Sequence, residues 1–278
     1  MSKLMLIDGN NVFRRLFEKL GTSALQTLYA ESISSDPTLT IAWVWDGRNS
    51  KARRQAIFPD YKAGRKPASD EFYETRKFFK ELTKHSSCLT IECDGWEADD
   101  VIATLARGWE GTVFIHSNDA DFFVLASDNV ILERDAKEFP ASAEDMRLFK
   151  ALCGDTSDSI LGIKGFGGKK FEKLTPEQKV LLTDCMKGNF EAVIAAAACK
   201  FTPAVNKYFL ENIEDIRKGW KIIDLYTVPD AELSAGMVSG QLNPDAANAM
   251  MERIYMAPQL PGDAEIVAAK IASAVSQH

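Results

Sequence analysis

The segment 3–9 has the sequence KLMLIDG, in which a short apolar run ends at a carboxylate. Later segments in the first half of the chain share this short, continuously apolar character, which is typical of strands in a sheet covered on both faces. The predicted strands are 3–7, 40–45, 88–92, 112–117 and 129–133. Helical spacing lies between them, at 11–20, 70–84 and 98–107. This alternation predicts an α/β fold with a mostly parallel sheet flanked by helices.

The second half of the chain has a different pattern. From residue 142 the apolar spacing is helical, glycine-rich turns occur near 162–168, and no further strand is predicted. From about Pro229 the sequence is rich in alanine and acidic residues. We therefore expect three consecutive regions: an α/β core over 1–150 that includes a basic segment at 48–84, a helical region over 151–229, and C-terminal helices or a tail over 230–278.

Composition and length restrict the class of protein. The 278 residues are 46% hydrophobic and 26% charged, which excludes a disordered, collagen-like or disulfide-scaffold protein. No apolar run approaches the ~18 residues of a membrane span and no secretory signal is visible, so we expect a cytoplasmic protein without membrane contact. Five cysteines without a repeating framework indicate reduced thiols. His85, Cys88 and Cys93 lie close together, but a fourth zinc ligand is missing, which favours buried thiols.

Charge is distributed unevenly along the chain. The net charge of −7 by itself argues against binding to nucleic acid. However, residues 48–84 contain eleven lysines or arginines against five acids, and residues 162–173 contain four lysines against one acid. Both segments are candidates for contact with phosphate, although a solvated helix face and a plain helix–helix turn explain the same patterns.

Carboxylates follow the predicted strands at the points where these strands end. The nine acids in question are Asp8, Asp46, Glu97, Asp99, Asp100, Asp119, Asp121, Asp155 and Asp158. The carboxyl ends of parallel strands meet at one edge of a sheet, so we expect these side chains to gather there. Any one of them alone is also an ordinary turn or helix-capping residue.

Such a concentration of acids predicts bound cations. Like charges held close together raise each other's pKa and destabilise the fold unless cations offset them. Carboxylate-only ligands suit Mg²⁺ or Mn²⁺ rather than zinc. Neutralising the nine acids changes the net charge from −7 to +2. Two such ions about 4 Å apart support hydrolysis of a phosphodiester without a serine or cysteine nucleophile.

The segment 162–170, with the sequence GIKGFGGKK, is a second candidate for phosphate binding. It is not a P-loop, which would need glycine at Ile163 and serine or threonine at Lys170, and it lacks the third glycine of a dinucleotide-binding fingerprint. Glycine-rich turns between short helices expose backbone N–H groups that bind phosphate without reading base sequence.

Together, these motifs resemble the structure-specific 5′ nuclease family, which includes flap endonucleases, phage 5′→3′ exonucleases and the 5′-nuclease domain of bacterial DNA polymerase I. The motifs are Ile7-Asp8-Gly9-Asn10, Trp45-Asp46-Gly47, Tyr61-Lys62-Ala63-Gly64-Arg65, Glu97-Ala98-Asp99-Asp100, Asp119-Ala120-Asp121 and Gly154-Asp155-Thr156-Ser157-Asp158. The resemblance runs from about Lys3 to Lys173. It implies the PIN-like 5′-nuclease fold, with a helical arch and a helix–three-turn–helix DNA-binding region.

The resemblance also implies roles for individual residues. The nine acids would bind two or more divalent ions, and Lys62 and Arg65 would be catalytic residues at the base of the arch. The segment 162–170 resembles the hairpin that grips duplex DNA and often binds K⁺. Family members often carry an aromatic residue six positions after the first aspartate, where this chain has Arg14 beside Phe13. The predicted DNA contacts are Arg14, Arg15, Arg53, Arg54, Tyr61, Lys66, Lys164, Gly165, Gly167, Gly168, Lys169 and Lys170.

The activity implied is that of a Mg²⁺-dependent 5′→3′ exonuclease and 5′-flap endonuclease, with Mn²⁺ able to substitute. Its partners would be DNA with free 5′ ends, nicks, flaps or RNA–DNA primers, and it would act as a monomer, with a replication protein as a further partner. Two other interpretations stay open. A PIN-like ribonuclease usually lacks the Tyr-Lys-x-x-Arg segment and the hairpin. An inactive branched-DNA-binding module would be marked by lost acids. A phosphatase is disfavoured because it would need aspartate at Asn10.

Overall fold

The structure, a computed structural model, describes residues 2–133 and 141–253. In these ranges the strands are β1 (Lys3–Asp8), β2 (Leu39–Asp46), β3 (Leu89–Cys93), β4 (Thr112–His116), β5 (Val130–Glu133) and β6 (Met237–Ser239). The helices there are α1 (Gly9–Leu20), α2 (Ala24–Ala30), α3 (Ala52–Ile57), α4 (Asp70–Leu82), α5 (Ala98–Gly108), α6 (Met146–Cys153), α7 (Gly168–Phe171), α8 (Pro176–Lys187), α9 (Ala192–Ala198), α10 (Pro203–Glu211), α11 (Ile213–Ile222), α12 (Asp230–Ala235) and α13 (Pro244–Glu252). Among the described residues, no helix has the length and apolar character needed to cross a membrane.

The strands form one sheet in the order β5-β4-β1-β2-β3-β6. Strands β1 to β5 are parallel, whereas β6 pairs with β3 in the antiparallel sense. The predicted mostly parallel sheet is therefore confirmed, and each predicted strand agrees with the structure to within one residue at either end. The expectation of no strand after residue 142 is wrong, because β6 follows. Its three residues are too few to produce a recognisable periodicity.

The described residues form two compact units. The first unit contains the sheet and comprises described residues within 1–50, 67–135 and 226–278, and the second comprises those within 51–66 and 136–225. The units thus combine separate parts of the chain, whereas the sequence predicts consecutive regions over 1–150, 151–229 and 230–278. Residues 254–278 of the predicted C-terminal tail lie outside the described residues.

Aromatic side chains hold the helices of the first unit against its sheet. The Phe79 ring of α4 lies 4.9 Å from the Trp43 ring of β2, and the Phe13 ring of α1 lies 5.3 Å from the Phe72 ring of α4. All four side chains are buried in the same hydrophobic cluster. Burying side chains of this size stabilises a fold by ~2 kcal/mol each. Helix α4, which lies within the predicted basic segment, therefore packs on the sheet.

The second unit has its own apolar core. Phe166, Phe171, Phe209 and Trp220 are buried in it together with aliphatic residues of α6 and α8. Helix α8 begins with a capping box, in which the Thr175 side chain accepts from the backbone of Gln178 and the Gln178 side chain accepts from Thr175. This exchange satisfies two of the N–H groups that a helix start leaves without partners.

Gly47, which follows β2, is required by a close approach of two backbone segments. A Cβ atom at this position would lie 1.9 Å from the carbonyl oxygen of Cys93. We therefore expect Gly47→Ala to lower the free energy of unfolding by about 3 kcal/mol, measured by urea denaturation. Gly108→Ala is the matched control, because nothing lies within 4 Å of its Cβ position. Equal urea denaturation midpoints for the two variants would contradict the close approach of Gly47 to the Cys93 carbonyl.

Candidate functional site

Three neighbouring strands of the first unit deliver carboxylates to one edge of the sheet. β1 ends at Asp8, β2 ends at Asp46, and Asp119 lies three residues beyond the end of β4. Because β4, β1 and β2 are adjacent and parallel, their carboxyl ends lie side by side. The structure thus brings three of the nine predicted acids to the same edge of the sheet.

Asp8 occupies the centre of this edge and is only 4% exposed. Its Oδ1 accepts a hydrogen bond from the backbone N–H of Asn11 at 3.1 Å, which caps α1, and its Oδ2 accepts from the Ser117 hydroxyl at 2.8 Å. Burial, together with the weaker effect of the charges of Asp119 and Asp46, raises the pKa of Asp8 to about 7 against the two hydrogen bonds that lower it. The Asp8 carboxylate thus lies among like charges with little water to screen them.

Asp119 and Asp121 are fixed by a short turn after β4. The backbone N–H of Asp119 donates to the Ser117 hydroxyl at 3.1 Å, and Asp119 Oδ1 accepts from the backbone N–H of Asp121 at 3.0 Å. Ser117 therefore links the ends of β1 and β4. It is a site residue that the sequence pattern did not single out, although its position as the last residue of a predicted strand was a usable signal.

The remaining acids of the first unit surround the start of α5. Asp46 Oδ1 accepts from the backbone N–H of Ala98 at 2.9 Å, so the end of β2 caps this helix. Glu97 and Asp100 are each 1% exposed, while Asp99 is half-buried. Asp100 Oδ1 also accepts from the backbone N–H of Tyr226 at 2.8 Å, so this oxygen binds the backbone at Tyr226.

The residues present at this edge fit a hard divalent cation. They offer oxygen donors only, and Mg²⁺ and Mn²⁺ prefer such ligands. In the described part of the chain, no lysine or arginine nitrogen lies within 4.0 Å of the Asp8 carboxylate, so its charge is not offset by an ion pair. A divalent cation at this edge would lower the pKa of Asp8 and relieve the repulsion from Asp46 and Asp119.

In the second unit, the predicted catalytic residues Lys62 and Arg65 meet Asp158. Lys62 Nζ lies 3.8 Å from Asp158 Oδ1, and Arg65 Nη2 lies 3.3 Å from the same oxygen. The Lys62 and Asp158 side chains are 6% and 9% exposed, whereas that of Arg65 is 48% exposed. Burial raises the pKa of Asp158, and the charge of Lys62 acts against that rise. Lys62 has a φ of +55°, a left-handed conformation that the surrounding turn imposes.

Asp155 is held by its own local network. Its carboxylate accepts from the Ser157 backbone N–H at 2.9 Å and hydroxyl at 2.7 Å, and it pairs with Lys150 at 2.8 Å. Burial raises the pKa of Asp155, but the Lys150 charge and these hydrogen bonds outweigh it and leave the pKa lowered. Asp155 is therefore ionised and already compensated. The sequence does not single out Lys150, because nothing in its helical context distinguishes it from a surface lysine.

The glycine-rich hairpin of the second unit presents polar groups to solvent. Ile163 and Phe166 are buried and anchor it, and Ile163 N–H donates to the Leu152 carbonyl at 2.7 Å. Gly162 and Gly165 have positive φ values of +63° and +78°. The predicted contacts Lys164, Gly165, Gly167, Lys169 and Lys170 are exposed, and Gly168 is half-buried at the start of α7. The Lys170 ammonium donates to the Gly165 carbonyl at 2.5 Å.

Two of the other predicted DNA contacts need correction. Arg54 is 3% exposed and donates to the carbonyls of Ile222 and Asp224, so it caps the end of α11 inside the second unit. Tyr61 is 2% exposed and packs against Ile160 and Ile222. Neither side chain offers a surface to DNA. The other predicted contacts are at least partly accessible: Arg14, Arg53 and Lys66 are exposed, and Arg15 is half-buried.

Comparison with known proteins identifies the family. The model of the 5′-3′ exonuclease, N-terminal resolvase-like domain matches residues 3–148. The chain belongs to this family. The 5′-3′ exonuclease of Aquifex aeolicus is 29% identical over 261 residues, which cover 84% of this chain and 85% of that protein. The flap endonuclease Xni of Shewanella frigidimarina is 31% identical over 204 residues, 65% of this chain and 79% of that protein. The predicted 5′ nuclease family is thereby confirmed.

Other relatives and solved structures define the extent of the likeness. The relatives named DNA polymerase I are much longer, and the chain spans only 24 to 29% of their length. The T5 5′-exonuclease, solved with divalent zinc ions, has a TM-score of 0.59 at 20% identity, with 91% of this chain and 98% of that chain covered. At this identity the match shows that the two chains share a fold. A structure of the T5 flap endonuclease with DNA and metal ions shows the same fold.

Proposed function

We propose that the chain is a divalent-metal-dependent 5′→3′ exonuclease and 5′-flap endonuclease that hydrolyses phosphodiesters of DNA, or of RNA–DNA primers, in replication, repair or recombination. The observation that carries this proposal is the meeting of three parallel strand ends at Asp8, Asp46 and Asp119, with Asp8 buried and its pKa raised to about 7. The relatives named 5′-3′ exonuclease and flap endonuclease Xni support the substrate class.

The acids would hold the ions, and the other side chains would position the substrate. The chemistry that Mg²⁺, or Mn²⁺ in its place, would supply when bound is activation of a water nucleophile and stabilisation of the leaving oxygen. Asp8, Asp46 and Asp119 would provide the ligands in the first unit, together with Glu97, Asp99, Asp100 and Asp121. For Asp155 and Asp158 the resemblance is the support, because each already has a cationic partner.

Lys62 and Arg65 would bind oxygens of the reacting phosphate. Both cations share the Asp158 carboxylate, which holds them in place without neutralising both of them. Cations placed beforehand at developing negative charge lower the barrier because they need no reorganisation during the reaction.

The hairpin would bind the phosphates of the duplex. Its exposed lysines and backbone N–H groups suit contacts that position DNA without reading its sequence. K⁺ at the hairpin, a monomeric state and a replication-protein partner are further proposals from the family resemblance.

The test is cleavage of three labelled nucleic acids: a 5′-flap duplex, a nicked duplex and single-stranded RNA. The expected result is Mg²⁺-dependent cutting of the two DNAs near the 5′ end, abolished by EDTA and restored by Mn²⁺. Product lengths then separate stepwise nucleotide removal from release of an intact flap. Cutting of the RNA alone would establish the ribonuclease alternative, and binding of the DNAs without cutting would establish the inactive module.

Removing one lysine charge from the hairpin should weaken DNA binding without abolishing it. Lys169 is exposed, and Lys169→Met is expected to weaken DNA binding about threefold to tenfold. The slope of log affinity against log salt concentration should also become smaller by about one, because one phosphate contact is lost. The measurement is fluorescence anisotropy at several salt concentrations. Lys187→Met, exposed at the end of α8, is the control, and an equal effect from it would contradict a localised hairpin contact.

A further inference from the structure

Two arginines of the first unit lie on one phenyl ring. The Arg14 guanidinium carbon is 4.9 Å from the Phe72 ring centroid, and that of Arg76 is 5.9 Å from it. Arg76 also lies 5.3 Å from the Tyr73 ring centroid, and its Nη1 is 3.5 Å from Asn10 Oδ1. Asn10 follows Asp8 by two residues, so this arginine pair adjoins the strand-end acids.

The charge of this pair is poorly compensated. Among the described residues, no carboxylate lies within 4.0 Å of the Arg76 guanidinium, and Arg14 has only an exposed contact with Glu18 at 3.6 Å. Lys80, one turn further along α4, differs because it is paired with Glu92. Burial lowers the pKa of Arg76, whereas the charges of Tyr73 and Asp46 raise it. The charge of Arg14 also lowers this pKa, because the two guanidinium groups repel each other. An anion bound to both would relieve this repulsion.

We propose that Arg14 and Arg76 together bind one phosphate of the nucleic-acid strand that the strand-end acids act on. This inference rests on the proposed function and adds a substrate-positioning site to it. A guanidinium group binds phosphate through two parallel N–H donors, and its planar face stacks on an aromatic ring. Phe72 and Tyr73 hold both groups by cation–π contacts, so little side-chain freedom is lost when phosphate binds.

The arrangement favours phosphate over a stacked base. The Phe72 side chain is buried and already covered by the two guanidinium groups, so it has no free face for a base. Arg14 also occupies the position at which family members often carry an aromatic residue. In this chain the pair therefore supplies charge where a ring would supply stacking.

The test measures equilibrium binding of a labelled 5′-flap DNA by the full chain in EDTA, and its cleavage in Mg²⁺, for Arg14→Met and Arg76→Met. Methionine keeps an unbranched apolar stem on the Phe72 ring. Lys77→Met, an exposed change on the same helix, is the matched control for lost charge. We expect each arginine variant to bind the DNA about tenfold more weakly than the wild type. The slope of log affinity against log salt concentration should be smaller by about one. The control should bind within about twofold of the wild type. Because both arginines contact one phosphate, the double variant should lose less than the product of the single losses.

The outcomes separate this inference from the proposed function. If the wild type binds and cuts the DNA while Arg14→Met and Arg76→Met match Lys77→Met in affinity and salt slope, the arginine pair is not a phosphate site. Arg14 is exposed, so its variant keeps the test valid even if Arg76→Met unfolds. If the wild type neither binds nor cuts the DNA, the proposed function fails and this inference fails with it.

Discussion

Asp8→Asn is expected to reduce Mg²⁺-dependent cleavage roughly a hundredfold to a thousandfold and to stabilise the metal-free protein. The two effects have one cause. Asp8 is buried among like charges, so its ionised form is a good ligand for a cation and an unfavourable group without one. Asparagine has the same shape, keeps an oxygen that accepts from the Asn11 N–H, and carries no charge.

The stabilisation should depend on pH in a defined direction. The pKa of Asp8 is raised from 3.8 to about 7 by folding, so the folded state holds its proton at a pH where the unfolded chain has lost it. The metal-free wild type therefore loses stability relative to the variant as the pH rises from about 4 to 7, and the difference is complete above that range. We expect about 2 kcal/mol at pH ~8 and no difference at pH ~4, measured by urea denaturation in EDTA.

Asp128→Asn is the control for this prediction. Asp128 is exposed and also lies in the first unit, so it removes the same charge without touching the strand ends. It should leave cleavage and stability unchanged. An Asp8→Asn variant that cuts DNA at the wild-type rate, or that is less stable than the wild type at alkaline pH in EDTA, would show that Asp8 is only a helix cap.

Lys62→Met is expected to reduce cleavage roughly a hundredfold and to lower the free energy of unfolding by about 2 kcal/mol. The loss of stability follows because the buried Asp158 carboxylate loses its buried partner, while the remaining ion-pair partner Arg65 is half-exposed. The loss of activity follows if Lys62 also binds the reacting phosphate.

A double variant distinguishes these two roles. Lys62→Met with Asp158→Asn removes both charges of the buried pair, so thermal unfolding should return close to that of the wild type. Cleavage should stay below that of Asp158→Asn alone, which itself removes a proposed metal ligand, because the cation that binds phosphate is still absent. Recovery of cleavage together with stability would mean that Lys62 acts only by compensating Asp158. Arg65→Met, at a more exposed position, should reduce activity with little change in stability.

The sequence predicted the parts of the fold that local patterns determine. The strand ending at Asp8 is continuously apolar because both faces of the sheet are covered, and the next residues begin α1 because Asp8 caps it. The order of the strands then places Asp46 and Asp119 beside Asp8, which follows from parallel strands alone. These features depend on residues close together in the chain, and a period of two or 3.6 residues reveals them.

The features that could not be predicted depend on partners far apart in the chain. Arg54 belongs to a basic segment, and only the position of the Ile222 carbonyl, 168 residues away, makes it a buried helix cap. Strand β6 is defined by its pairing with β3 rather than by its own sequence. Likewise, nothing in the spacing of Arg14 and Arg76 indicates that they share the Phe72 ring.

Binding of the catalytic divalent ions by the strand-end acids is tested most directly by a titration with Mn²⁺ followed by electron paramagnetic resonance. We expect the wild type and Asp128→Asn to bind Mn²⁺ alike, Mg²⁺ to displace it, and the affinity to rise with pH up to about 7 as Asp8 loses its proton. Asp8→Asn should bind at least about tenfold more weakly. Equal Mn²⁺ affinity in Asp8→Asn and the wild type would contradict the account.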